Sequence, residues 1–138
     1  MTNHKTLCFA LMDPPFESAR TTTALRLIDR ALARGHSVNV FAYEGAVSLA
    51  FAGQKRHANA VHGRSEPEED HPLTRDWIAA LRDAAQASGA RFEWVNCGLC
   101  VDERGMEPAI EGTRRGSPAD LARFIEESDN TLVVPTGD

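Results

Sequence analysis

The 138-residue chain contains no run of about 18 apolar residues, the length that a helix needs to cross a bilayer. Basic residues are also scarce, because 15 Lys and Arg stand against 20 Asp and Glu, giving a net charge of −5. This balance argues against nucleic acid or an anionic membrane as the main partner. The sequence therefore favours neither a membrane protein nor a nucleic-acid-binding protein.

Cysteine is scarce as well, and the three residues present are Cys8, Cys97 and Cys100. An odd number of cysteines does not suggest a disulfide framework. The first apolar run ends at Asp13, too early for the apolar core and cleavage site of a signal peptide. We therefore expect a reduced protein in the cytoplasm.

The length and the apolar content of 42% are those of one globular domain, which we expect to span residues 1–138. Short apolar runs bounded by turn residues predict strands. Four such runs are Thr6–Met12, Val38–Tyr43, Arg91–Asn96 and Thr131–Val134, and a weaker one lies near Ala109–Ile110.

Apolar residues at helical spacing predict helices between these strands. The predicted helices are Arg20–Arg34 capped by Ser18, Gly45–Ala52, Arg75–Ser88 capped by Thr74, and one beginning at Ser117–Pro118. Gly35 and Gly89 stand where helices commonly end in the left-handed conformation. The alternation of strands and helices predicts an α/β fold with a mostly parallel sheet covered on both faces.

The segment 53–72 interrupts this alternation, and a connection of that length is either mobile or functional. It contains the acidic run Glu66–Asp70, which we interpret as a solvated loop.

In open parallel sheets, sites lie at the carboxyl ends of the strands. Three segments are expected at that edge, namely Asp13–Thr23, Glu44–Gly53 and Cys97–Gly105. The third carries the most informative residues. Cys97 is placed where a strand ends and a short helix begins, and the free N–H groups and dipole of a helix start favour a thiolate. Cys100 lies one turn further on, and Arg104 would add positive charge.

Other interpretations of these residues remain open. Cys97 is equally consistent with a small buried core residue, Cys100 fits a core position better still, and Cys8 lies within a predicted core strand, where we interpret it as a packing residue. The CxxC spacing would also suit a redox dithiol. A closed zinc site needs four ligands, so His57, His62 or His71 would have to complete the pair, and we expect no metal. The hydroxyl-rich start of the first helix, without glycine, is a weak signal for phosphate, nucleotide or flavin binding.

The order of three motifs gives the chain its family resemblance. The strand TLCFAL with its break and helix ending in Gly35-His36, the strand VNVFAY, and the segment VNCGLCVDERG follow one another as in the DsrE family of small sulfur-relay proteins. The chain resembles this family over nearly its whole length. Cys97 with Arg104-Gly105 matches the spacing of the family's sulfur-carrying cysteine, whereas Cys100 has no counterpart there.

The resemblance implies a three-layer α/β/α sandwich with a five-stranded sheet. It also implies relay of sulfane sulfur as a persulfide on Cys97, with no cofactor and with a TusA-like small carrier protein as partner. Homo-oligomers, trimeric or hexameric, or assemblies with DsrF- and DsrH-like chains are implied as well. The alternatives are a dithiol oxidoreductase using Cys97 and Cys100, or a non-catalytic oligomeric binding module.

Overall fold

The computed structural model describes residues 3–137, and its centre is one sheet of five parallel strands in the order β4-β3-β2-β1-β5. The strands are β1 (Thr6–Leu11), β2 (Ser37–Ala42), β3 (Phe92–Cys97), β4 (Thr113–Gly116) and β5 (Asn130–Val134). β1 and β2 are almost continuously apolar because central parallel strands are buried on both faces. The predicted parallel five-stranded sheet is confirmed.

Helices connect the strands. They are α1 (Ala19–Ala33), α2 (Glu66–Glu69), α3 (Thr74–Ser88), α4 (Gly98–Arg104) and α5 (Pro118–Glu127), with 3₁₀ helices at Glu44–Ala50 and Ala60–His62. Ser18 caps α1 by accepting the N–H of Arg20, as predicted. Gly89 ends α3 with a φ of +75°, a conformation that costs glycine little.

The two faces of the sheet bury separate apolar clusters. Val38 and Val40 of β2 face one cluster, which includes Ile28 of α1 and Leu81 of α3. The strand residues at the alternate positions point to the other face of the sheet and form the second cluster. There Phe124 of α5 packs with Cys8, Phe41 and Val95. Helices therefore lie on both sides of the sheet, which is the predicted three-layer α/β/α arrangement.

The prediction of the fifth strand near Ala109–Ile110 is wrong. The strand β4 lies at 113–116, where Trp94 to Cys97 pair with Thr113 to Gly116. The 109–110 segment instead pairs with the chain after the first 3₁₀ helix, through an antiparallel bridge between Phe51 and Ala109. An edge strand leaves side chains in water, so the sequence TRRG carries no apolar run that would reveal it.

The predicted cap of α3 is also wrong. Thr74 is the first residue of the helix, and its hydroxyl donates to the carbonyl of Leu49 (2.9 Å) instead of binding the first turn. The same hydroxyl accepts a hydrogen bond from Nε2 of Gln54 at 2.9 Å. Thr74 therefore forms tertiary hydrogen bonds instead of an N-cap, and the bond to Leu49 connects α3 to the 3₁₀ helix Glu44–Ala50.

The acidic run is largely solvated, as we predicted, but most of it forms a short helix and not a loop. Ser65 and Glu68 form a reciprocal capping box at the start of α2. The Glu69 side chain is only 8% exposed, because Asn59 and His71 contact it. The capping box and the contacts of the Glu69 carboxylate stabilise α2, whereas the composition of this segment indicated only that it is polar.

Within residues 3–137, no helix is both long enough and apolar enough to cross a membrane.

Candidate functional site at the end of strand β3

Cys97 is the last residue of β3 and the N-cap of α4. The strand delivers the side chain to the carboxyl edge of the sheet, and Gly105 ends the helix with a φ of +62°. The junction therefore has the strand-to-helix geometry that the sequence predicts. The residue is 8% exposed, so the thiol lies just beneath the surface and not on it.

Two hydrogen-bond donors of Cys100 converge on the sulfur of Cys97. The backbone N–H of Cys100 lies 3.4 Å from Cys97 Sγ, and the Cys100 thiol donates to the same atom at 2.8 Å. Both residues are free thiols. Donors aimed at one sulfur stabilise negative charge there, so the geometry gives the two cysteines unequal roles.

Cys100 is the thiol that stays protonated. Burial, and then the hydrogen bond to Cys97, raises the pKa of Cys100 to about 11. The N–H of Glu44 donates to Cys100 Sγ at 3.2 Å and opposes this rise only in part. At neutral pH Cys100 is therefore a hydrogen-bond donor and not a nucleophile.

Glu44 is a site residue that the sequence analysis did not single out, although its segment was expected at this edge. Its φ is +53°, a left-handed conformation that is uncommon for a residue with a side chain. This backbone conformation accompanies an N–H that points at Cys100 Sγ. The only sequence signal is position, because Glu44 follows Tyr43 directly at the end of the second strand.

Arg104 lies at the site but is engaged by carboxylates. Its Nη2 is 3.1 Å from Oε2 of Glu44, and its Nη1 is 3.4 Å from Oε2 of Glu103. Nη1 also lies 3.5 Å from the carbonyl of Cys100. The guanidinium thus links α4 to Glu44, and this link holds the two elements that surround Cys100.

The other candidates lie apart from this pair. Cys8 is 1% exposed within β1, and burial raises its pKa, as expected for a core thiol. In the loop after β1, Ser18 Oγ donates to Asp13, and Thr21 Oγ1 donates to the Asp13 carbonyl. His57 and His71 line a cavity that the two cysteines do not line. Across residues 3–137, no group of three or more His, Cys, Asp or Glu is arranged to hold a metal ion.

The sequence pattern of the DsrE/DsrF-like family matches residues 5–134, and the chain belongs to this family. The family is generally connected with sulfur relay, and its members work in sulfur-relay complexes. The resemblance noted from the sequence is confirmed.

Two archaeal sequences are similar to the chain over most of its length. An uncharacterized protein of Methanocaldococcus jannaschii is 31% identical over 124 residues, which cover 88% of this chain and 93% of that protein. An uncharacterized protein of Methanopyrus kandleri is 29% identical over 124 residues, covering 88% of each.

Two solved structures share the fold. The ychN protein of E. coli superposes with a TM-score of 0.70 at 20% identity, over 95% of this chain and 99% of that one. A conserved protein of unknown function from Bacteroides thetaiotaomicron gives a TM-score of 0.55 at 11% identity, over 93% and 94% of the two chains.

Proposed function

We propose that the protein is a sulfur-relay protein that carries sulfane sulfur as a persulfide on Cys97. The Cys97 thiolate attacks the outer sulfur of a donor persulfide, and the donor leaves as its thiolate. The product is Cys97–S–SH. An acceptor thiolate then attacks the outer sulfur of this persulfide, which yields the acceptor persulfide and regenerates the Cys97 thiolate. Both steps are thiol exchange, and neither needs an oxidant or a cofactor.

The convergence of two donors on Cys97 Sγ is the observation that carries this proposal. Exchange requires a thiolate as nucleophile and also as leaving group in the return step. The N–H and the thiol of Cys100 are placed to stabilise the Cys97 thiolate both when it attacks and when it leaves. Since Cys100 itself is held protonated, it does not compete as the attacking sulfur.

The burial of Cys97 supports a protein partner over a freely diffusing thiol. Cys97 is 8% exposed as a residue, whereas the neighbouring Leu99 is 70% exposed at the same edge. An exposed apolar side chain beside a recessed nucleophile suits the docking of another protein's carrier cysteine. We propose a TusA-like small carrier as that partner.

We further propose that the chain acts as a homo-oligomer in the cytoplasm, trimeric or hexameric, or together with DsrF- and DsrH-like chains. The β5 edge supports an assembly, because Leu132 and Val133 are 44% and 52% exposed there. Leu27 of α1 and Ile125 of α5 are similarly exposed, at 46% and 48%. Exposed apolar side chains of this kind are common at subunit contacts.

A mass measurement tests the carrier function. Purified protein is incubated with a persulfidated donor protein, and its intact mass is recorded without reductant. We expect the wild type and Cys100→Ser to gain one sulfur atom and Cys97→Ser to gain none. No gain in the wild type, or an undiminished gain in Cys97→Ser, rejects the proposal.

A dithiol oxidoreductase is the second candidate, and the distance of 2.8 Å between the two sulfurs favours it. In that reaction Cys97 attacks a partner disulfide, and Cys100 then resolves the mixed disulfide, so that the pair loses two hydrogens. This function requires both cysteines, whereas sulfur relay requires only Cys97. The Cys100→Ser variant therefore separates the two candidates.

A further inference from the structure

A second cavity lies outside the cysteine site, between the loop after β1 and the 53–72 segment. Its volume is about 540 Å³, within the range of small-molecule sites. Pro15, Phe16 and Leu73 supply apolar walls. Lys55, Arg56 and Glu69 are among its charged lining residues.

One carboxylate oxygen of Glu69 accepts no hydrogen bond from residues 3–137. Its Oε1 is held by Asn59 Nδ2 at 3.1 Å and by His71 Nε2 at 2.8 Å. Its Oε2 is buried and finds no hydrogen-bond partner within residues 3–137. The guanidinium of Arg64 lies 3.9 Å from Oε2, beyond hydrogen-bond distance.

The Glu69 carboxylate is charged at neutral pH. The hydrogen bond from Asn59 lowers its pKa, and His71 and Arg64 act in the same direction against a smaller opposing effect of burial. A charged oxygen that is both buried and unpartnered is costly, and a ligand that donates to it removes the cost.

Two cations of the lining have no carboxylate partner. The ion pairs formed among residues 3–137 include neither Lys55 nor Arg56. Arg56 donates a hydrogen bond to the backbone carbonyl of His71 at 3.4 Å. The cavity thus combines two carboxylates, those of Glu66 and Glu69, with two cations that form no ion pair among residues 3–137 and with an apolar wall.

We propose that this cavity binds a small zwitterion, a free amino acid or a short peptide with an apolar side chain. The ligand's ammonium group pairs with the Glu69 carboxylate, its carboxylate pairs with Lys55 and Arg56, and its side chain packs against Phe16 and Leu73. The site is independent of the sulfur chemistry at Cys97.

Calorimetric titration with peptides capped at one terminus tests each charged contact. The probes are leucine, Leu-Gly-Gly, N-acetyl-Leu-Gly-Gly and Leu-Gly-Gly amide. We expect leucine or Leu-Gly-Gly to bind, and each capped peptide to bind at least about tenfold more weakly than Leu-Gly-Gly, since each loses a charge-assisted hydrogen bond. Comparing leucine with Leu-Gly-Gly shows whether the cavity prefers a free amino acid or a short peptide, because the preferred class binds more tightly.

Variants locate the site. Glu69→Gln is expected to weaken binding at least about tenfold, whereas Glu126→Gln, an exposed glutamate on α5, is expected to bind as the wild type does. If Glu69→Gln does not fold, Lys55→Gln and the capped peptides on the wild type decide the question. Absence of binding by both leucine and Leu-Gly-Gly, or equal binding of capped and uncapped peptides, overturns the proposal.

Discussion

The protonation of Cys100 makes a quantitative prediction about alkylation. Burial and the hydrogen bond to Cys97 raise the pKa of Cys100 from 9.0 to about 11. At pH 8 a thiol of pKa 9.0 is about one-tenth thiolate, and one of pKa 11 about one-thousandth. Because the thiolate is the reacting form, we expect Cys100 to react with iodoacetamide about 100-fold more slowly than the same residue in the unfolded chain.

The rate is measured from pH 7 to pH 11.5 by mass spectrometry. Trypsin releases both cysteines in one peptide, residues 92–104, so fragment ions between them are needed to assign the label. Restricted access lowers the rate at every pH, whereas a raised pKa moves the midpoint of the profile. The midpoint is therefore the decisive quantity.

Cys97→Ala provides the matched control. It removes the hydrogen bond and the charge interaction with Cys97 but leaves the burial, which is the largest cause of the shift. The midpoint should fall in this variant and stay above 9.0. A wild-type midpoint at or below 9.0, or one that Cys97→Ala leaves unchanged, would refute the assignment of Cys100 as the protonated donor.

Three further changes follow from the same structure. The raised pKa of Cys100 stabilises the fold below pH 9, so chemical denaturation should show the wild type losing ~3 kcal/mol between pH 9 and pH 11 relative to Cys100→Ala; parallel curves would contradict this. Because the φ of Glu44 is +53°, Glu44→Gly should be about 1 kcal/mol more stable than Glu44→Ala in thermal unfolding, both having lost the pair with Arg104. Asp120→Ala should cost about 1 kcal/mol at pH 7, since Asp120 accepts the N–H of Ser117 in a capping box. Its pKa is lowered, first by Arg114, so this stabilisation is present above pH 3.8 and should vanish in acid titration below it.

The position of the cysteine site could be predicted because local signals agree there. An apolar strand followed by CGLC predicts a strand-to-helix junction, and β3 does end at Cys97. The parallel order of the strands then places the loops after β1, β2 and β3 at one edge. Periodicity and turn residues were sufficient for this part of the fold.

The features that the sequence did not reveal depend on contacts between distant segments. The strand β4 is held by pairing with β3, and its Arg114 is neutralised by Glu93 and Asp120. The strained backbone of Glu44 is explained only by its neighbours, which include Cys100. The buried Glu69 likewise depends on Asn59, ten residues away. None of these contacts leaves a periodic signal in the sequence.

We propose that Cys97, and not Cys100, carries the transferred sulfur. The direct measurement uses a donor protein labelled with a heavy sulfur isotope, followed by alkylation and fragmentation of the tryptic peptide 92–104. We expect the labelled sulfur on the fragment that contains Cys97, and its loss when an acceptor thiol protein is added. Label on Cys100, or label on Cys97 that no acceptor protein removes, would contradict it.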